Sequence, residues 1–198
     1  MQSKENYFIP NSLSISDIPT DILNLFICDY GNSLNRVEFS HSFCHLKSIM
    51  IGIHCFKNVR EFIIDNLPNL ELVRIGEDCF RIGEEERDDG LCQITNCPSL
   101  RQLEIGDNSF QDFKSFELSN VDSLQSIIIG RLSFKYADFS LKGEWKERKK
   151  CDLNENENDV LDLPSLEIVS LKGGSFMYCH VAVFESMWWL FIFLSHSF

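Results

Sequence analysis

The sequence predicts a mainly β fold: a solenoid of short parallel strands, about six coils of about 24 residues with two strands each, and little helix. Three observations carry this. An eleven-residue phrase, Leu-x-x-(Ile/Val/Leu)-x-(Ile/Leu)-x-x-x-(Ser/Cys)-Phe, begins at Leu46, Leu70, Leu100, Leu124 and Leu166. A shorter apolar frame at offsets i, i+3 and i+5 recurs about every 12 residues between and around these copies. Offsets i+3 and i+5 differ by two, so their side chains share one face of an extended strand while i+2 and i+4 point away.

In chain order the frames begin at Ile22 (Leu25, Ile27), Leu34 (Val37, Phe39), Leu46 (Ile49, Ile51), Val59 (Phe62, Ile64) and Leu70 (Val73, Ile75). A weak frame follows at Cys92 and Ile94. The series resumes at Leu100 (Leu103, Ile105), Phe113 (Phe116, Leu118), Leu124 (Ile127, Ile129), Tyr136 (Phe139, Leu141), Leu166 (Val169, Leu171) and Tyr178 (Val181, Val183). Gly52, Gly76, Gly106 and Gly130 directly follow strong strands, suiting a backbone that turns with φ > 0. Phe56, Phe80, Phe110, Phe134 and Phe176 are placed to fill the corner behind them. Asn66, Asn96 and Asn120 stand in register in the turns that lead back to strong strands. Two readings of that column stay open: a ladder satisfying buried backbone groups at about 1 kcal/mol per hydrogen bond, or the ordinary preference of turns for Asn.

The phrase resembles the leucine-rich repeat family, LxxLxLxxN, and Leu100-x-x-Leu103-x-Ile105-x-x-Asn108 meets that pattern in full. IPTDILNLFI, Ile18 to Ile27, is similar to the opening of short repeats of that family. The recurrent Ile-Gly-x-x-Ser-Phe wording most resembles the BspA-like class, whose units carry Ile-Gly-x-x-Ala-Phe. The resemblance covers about residues 18–184 and implies recognition through a repeated surface. A plain parallel β-helix is the nearest structural rival.

The expected organisation is an N-terminal lead-in at 1–17, the repeat region at 18–184 and an apolar C-terminal tail at 185–198. Polar insertions at 81–90 and 142–160 lack an apolar stripe, so they are expected to be solvated excursions. The tail's apolar run, Met187 to Leu194, falls well short of the roughly 20 residues needed to cross a bilayer as a helix. It reads as an incomplete cap through which the chain self-associates. At 198 residues and 44% hydrophobic, one domain with a buried core is the default. A net charge of −12 makes nucleic acid and acidic membrane poor partners.

The opening residues, MQSKENYFIPNSLSIS, contain no basic-then-apolar leader, and with core-type cysteines this favours a cytoplasmic location. Cys55 and Cys79 occupy the repeat position held elsewhere by Ser109, Ser133 and Ser175, the behaviour of a free buried thiol.

Little in the chain reads as chemistry. His41, Cys44 and His45 in HSFCH lack a second pair at zinc-binding spacing. Cys179 and His180 are strand neighbours, which point to opposite faces. No GxxxxGK(S/T), GxGxxG or GxSxG is present. No catalytic, cofactor or metal residue is therefore assigned, and an enzyme is not expected.

The expected function is a non-enzymatic protein–protein recognition scaffold. Its candidate partner-binding residues are outward positions of strong strands: Met50, Leu72, Arg74, Gln102, Glu104, Ile128 and Ile168. They mix apolar with charged side chains where a purely solvated sheet would be polar throughout. The outward residues of the weak strands, Glu61, Ile63, Ser115, Glu117, Asp138 and Ser140, look ordinary. The alternatives are a surface or adhesive structural module, or the repeat part of a larger signalling protein.

The cysteine reading is checked by thiol titration of the denatured chain, purified without reductant from an intracellular host. Close to eight free thiols are expected; half that number or fewer overturns it.

Overall fold

Alternating burial makes the strands. In Arg36–Phe39 and Gln102–Ile105 every second residue is buried and its neighbours are not, the signature of a strand with one face on a core. The computed structural model describes residues 5–9, 17–28, 34–82, 90–142, 166–179, 182–184 and 192–194. Its strands are β1 Asn6–Ile9, β2 Asn24–Ile27, β3 Arg36–Phe39, β4 Ser48–Ile51, β5 Glu61–Asp65, β6 Leu72–Ile75 and β7 Leu91–Thr95. They continue with β8 Gln102–Ile105, β9 Ser115–Ser119, β10 Ser126–Ile129, β11 Asp138–Lys142, β12 Ile168–Leu171, β13 Ala182–Phe184 and β14 Ile192–Leu194. Among the described residues helix is almost absent; His41–Phe43 forms a short 3-10 turn.

Among the described residues the strands form an eight-stranded sheet in the order β1-β2-β4-β6-β8-β10-β12-β14 and a six-stranded sheet in the order β13-β11-β9-β7-β5-β3. Every pairing is parallel. From β2 to β13 successive strands alternate between the two sheets, an arrangement consistent with a repeat solenoid. Leu25, Ile49, Val73, Leu103, Ile127 and Val169 share one register position in the larger sheet. Phe39, Ile64, Ile94, Leu118 and Leu141 share one in the smaller. Both rows belong to a single buried cluster.

The frames from Ile22 to Leu124, and the one at Leu166, fall on observed strands. The frame at Tyr136 keeps Phe139 and Leu141 buried in β11, and only its first position moves. Ala137 is fully buried where Tyr136 was expected, and its N–H donates to the Phe134 carbonyl as that of Phe113 does to Phe110. In β13, Ala182, Val183 and Phe184 pair with Phe139, Ser140 and Leu141, while Val181 of the Tyr178 frame lies outside the described residues. β1 lies in the expected lead-in, and β14 in the expected tail. Within the expected insertion at 81–90, Ile82 is buried in the core; residues 83–89 lie outside the described set, as do 143–165.

Four columns build the turns. The Phe column is the most costly conformationally: Phe56, Phe80, Phe110, Phe134 and Phe176 all have positive φ, between 51° and 58°. A left-handed conformation costs an L-residue about 1–2 kcal/mol. Burying a Phe side chain contributes about 2–3 kcal/mol, and ring pairing about 1 kcal/mol more. The rings stack with centroids 5.0, 4.4, 4.8 and 5.5 Å apart along the column. Packing therefore outweighs the backbone penalty.

The glycine column is explained differently from the expectation. Gly52, Gly76, Gly106 and Gly130 do not adopt positive φ; among the described glycines only Gly174 does, at 77°. Gly76, Gly106 and Gly130 are required by closeness. A Cβ on Gly76 would lie 2.6 Å from the Gly52 carbonyl oxygen, and one on Gly106 2.6 Å from the Gly76 carbonyl carbon. Left-handed residues lie two positions later, at His54, Asp78, Asn108 and Leu132.

Buried backbone groups are satisfied by the serine and cysteine column. The hydroxyls of Ser109, Ser133 and Ser175 donate to the carbonyls of Gly76, Gly106 and Gly130 at 2.8, 2.7 and 2.7 Å. The Cys79 thiol donates to Gly52 O at 2.9 Å. The same hydroxyls accept from backbone: Cys79 N–H donates to Ser109 Oγ and Ser109 N–H to Ser133 Oγ, both at 3.1 Å.

The asparagines do not do this. Asn66, Asn96 and Asn120 hold φ of 56°, 54° and 55°, and none is buried. The Asn120 side chain donates to Asn96 Oδ1 at 2.7 Å, and that of Asn96 to Asp65 Oδ1 at 2.8 Å. Tolerance of the left-handed conformation selects Asn here.

Two substitutions separate these roles by denaturant unfolding. Gly106→Ala is expected to lose about 3 kcal/mol through overpacking against fixed backbone. Asn96→Ala should lose about 1 kcal/mol, and Asn96→Gly should regain most of it. Equal loss for Asn96→Gly and Asn96→Ala overturns the conformational account.

Candidate functional site

Parallel pairing without register shift turns outward positions into straight columns about 4.8 Å per step. On the eight-stranded sheet one column runs Asn6, Asn24, Ser48, Leu72, Gln102, Ser126 and Ile168. The next runs Phe8, Phe26, Met50, Arg74, Glu104, Ile128 and Ser170. All seven candidate residues therefore lie on one face: Met50, Arg74, Glu104 and Ile128 in the second column, Leu72, Gln102 and Ile168 in the first.

The face has three zones. At the β1 end Phe8 stacks on Phe26 at 4.7 Å between centroids with 16° between planes, and Phe8 is 63% exposed. Beside it Asn24 donates to the Glu5 carbonyl at 2.9 Å and accepts from the Ser48 hydroxyl at 2.7 Å. That bond leaves Ser48 only 6% exposed, so it presents little surface despite its outward position.

The centre is ionic. Arg74 pairs with Glu104, which also accepts from the Gln102 amide. The Glu104 hydrogen bond holds the Arg74 pKa above its ordinary value. Beyond the pair, Ile128 is half-buried and Ile168 is 49% exposed. Apolar side chains on both sides of a neutralised ion pair give a surface that can bury apolar area and orient it by charge.

Phe8 and Phe26 belong to this face although sequence reasoning did not name them. The signal for Phe26 was present: it stands at offset i+4 of the Ile22 frame, an outward position. Phe8 lies in the segment read as a lead-in, where no repeat phrase marks it.

The outer face of the six-stranded sheet is less ordinary than expected. It carries a shallow cleft of about 460 Å³ whose lining includes Glu38, Ile63, Asp65, Gln93, Thr95 and Glu117. Its polar groups are largely engaged with one another. Thr95 Oγ1 donates to Asp65 Oδ1 at 2.6 Å and Gln93 Nε2 to Glu117 Oε2 at 3.2 Å. Arg36 is held between Glu38 and Glu61.

Elsewhere, His41, Cys44 and His45 are exposed around the buried Phe43 and Leu46. Among the described residues no three His, Cys, Asp or Glu side chains are grouped to hold a metal ion. Cys55, Cys79, Cys92 and Cys97 are buried free thiols. Burial pushes Cys97 up to about 12 and Cys92 well above the ordinary thiol value. Cys79 is raised by its hydrogen bond with Cys55 and then by burial. Such thiols stay protonated and are poor nucleophiles. His180 lies outside the described residues.

No helix among the described residues is long and apolar enough to cross a membrane. No protein family, curated protein or solved structure matches the chain.

The central pair should contribute little to folding, because Arg74 is half exposed. A double-mutant cycle with Arg74→Ala and Glu104→Ala is expected to give a coupling below about 1 kcal/mol in denaturant unfolding. A coupling of several times that would make the pair a structural clasp.

Proposed function

We propose that the chain is a leucine-rich repeat solenoid, about six coils of about 24 residues, that acts as a non-enzymatic protein-recognition scaffold. The partner docks on the outer face of the eight-stranded sheet. One observation carries the reading: a single register gathers Met50, Leu72, Arg74, Gln102, Glu104, Ile128 and Ile168 with the Phe8–Phe26 stack on one continuous face. Exposed aromatic and aliphatic side chains supply the area, and the Arg74–Glu104 pair supplies orientation.

The repeat phrase supports the family reading, and the alternation of strands between two parallel sheets supports the coiled course. The chemistry of the thiols agrees with binding rather than catalysis, since the four buried ones sit in packing positions.

The test is capture from native lysate by immobilised protein. The wild-type chain is expected to retain a specific partner. Leu72→Asp combined with Ile128→Asp should abolish capture while leaving the unfolding midpoint within the range of surface substitutions, because both side chains point away from the core. Capture that survives the double substitution refutes the face. A wild-type chain that retains nothing specific refutes the recognition role.

A further inference from the structure

The serine and cysteine column contains thiols at two consecutive steps, Cys55 and Cys79, and hydroxyls at Ser109, Ser133 and Ser175. The two cysteines stand at equivalent positions, each four residues beyond the paired strand residues Ile51 and Ile75. Backbone hydrogen bonds keep them in step: Gly76 N–H donates to Ile51 O at 2.8 Å, and Phe80 N–H to Cys55 O at 3.0 Å. Their α-carbons are therefore about one strand spacing apart, about 4.8 Å, within the roughly 4.4–6.8 Å that a disulfide spans. Both are fully buried in one cluster.

We propose that Cys55 and Cys79 form a redox-sensitive clasp: they are free thiols under reducing conditions and join as an interior disulfide between consecutive repeat units under oxidising ones. The oxidant is a low-molecular-weight disulfide. One cysteine thiolate attacks a sulfur of the oxidant, whose S–S bond breaks and releases one thiol. The second cysteine then attacks the mixed disulfide, forming the Cys55–Cys79 bond and releasing the other. Two cysteine protons and two electrons leave the protein, and one disulfide is reduced to two thiols.

The surroundings set the rate. The Cys79 thiol is engaged with Gly52 O, and neither sulfur is exposed, so exchange needs local opening of the column and then ionisation of a thiol. Reaction is slow at neutral pH and accelerates as pH rises, because the thiolate is the reacting form. Once closed, the bond restrains a loop spanning one repeat unit and raises resistance to unfolding.

The test incubates the reduced folded protein with oxidised glutathione at mildly alkaline pH, then alkylates free thiols and maps peptides by mass. A peptide pair linked through Cys55 and Cys79, two hydrogens lighter than the reduced pair, is expected, together with a higher melting temperature reversed by dithiothreitol. A chain carrying Cys55→Ser and Cys79→Ser should keep the fold through the hydroxyl column and lose the reversible increase in melting temperature. The linked peptides in the wild-type chain decide the matter even where that variant folds poorly. Recovery of both cysteines alkylated, or each carrying its own glutathione, overturns the proposal.

Discussion

Everything in this chain depends on stacking equivalent residues at about 4.8 Å without register shift. At that spacing a turn cannot be merely permissive. The backbone of one unit lies against the backbone of the next, so any side chain at the contact collides with main chain rather than with another movable side chain. Gly76 and Gly106 are small because the preceding glycine's carbonyl is there. The carbonyl so approached is then buried and must be hydrogen-bonded, which places a short donor, Ser or Cys, at the neighbouring position. The Phe column closes the same corner with area large enough to hold its own residues in left-handed backbone. Steric closeness, polar satisfaction and apolar burial are thus three consequences of one spacing.

The same spacing makes a surface. Because each inward residue stacks on its equivalent, each outward one does too, and side chains far apart in sequence become neighbours in straight columns. The Arg74–Glu104 pair bridges 30 residues of sequence and a single strand-to-strand step. Positions on this face contribute little to the core, so they can vary in chemistry without disturbing the columns behind them. A face assembled in this way is free to become specific, whereas the corners are not.

The strands were legible because period-two burial writes itself directly into apolar spacing: Leu25 and Ile27, Val73 and Ile75, Leu103 and Ile105 announce both existence and inward face. What the corners do was less legible. Glycine after a strand suggests positive φ, but that inference considers one chain segment alone, and the constraint on Gly76 comes from Gly52, a full unit away. Asparagine in a column suggests a buried ladder, yet the Asn side chains face solvent, and the buried ladder runs through serine and cysteine. The slip at Tyr136 has a similar source. Tyr136 looks like the apolar anchor, but its ring stacks on Tyr178 at 5.1 Å outside the core, and small Ala137 occupies the buried place.

The candidate face was legible in its centre and not at its β1 end, for a physical reason. The repeat phrase identifies outward positions only where the inward pattern is strong enough to set the phase, as it is from Leu46 onward. β1 has no such phrase and is recruited by pairing: Asn24 N–H and its side-chain amide both donate to the Glu5 carbonyl, at 2.9 Å each. Pairing then fixes Phe8 opposite Phe26, and the aromatic end of the face follows from a hydrogen-bond register rather than from hydrophobic periodicity. A surface built by stacking is therefore best read by aligning outward positions in space first. The residues that extend it beyond the repeat are those whose backbones the terminal strand can still bond.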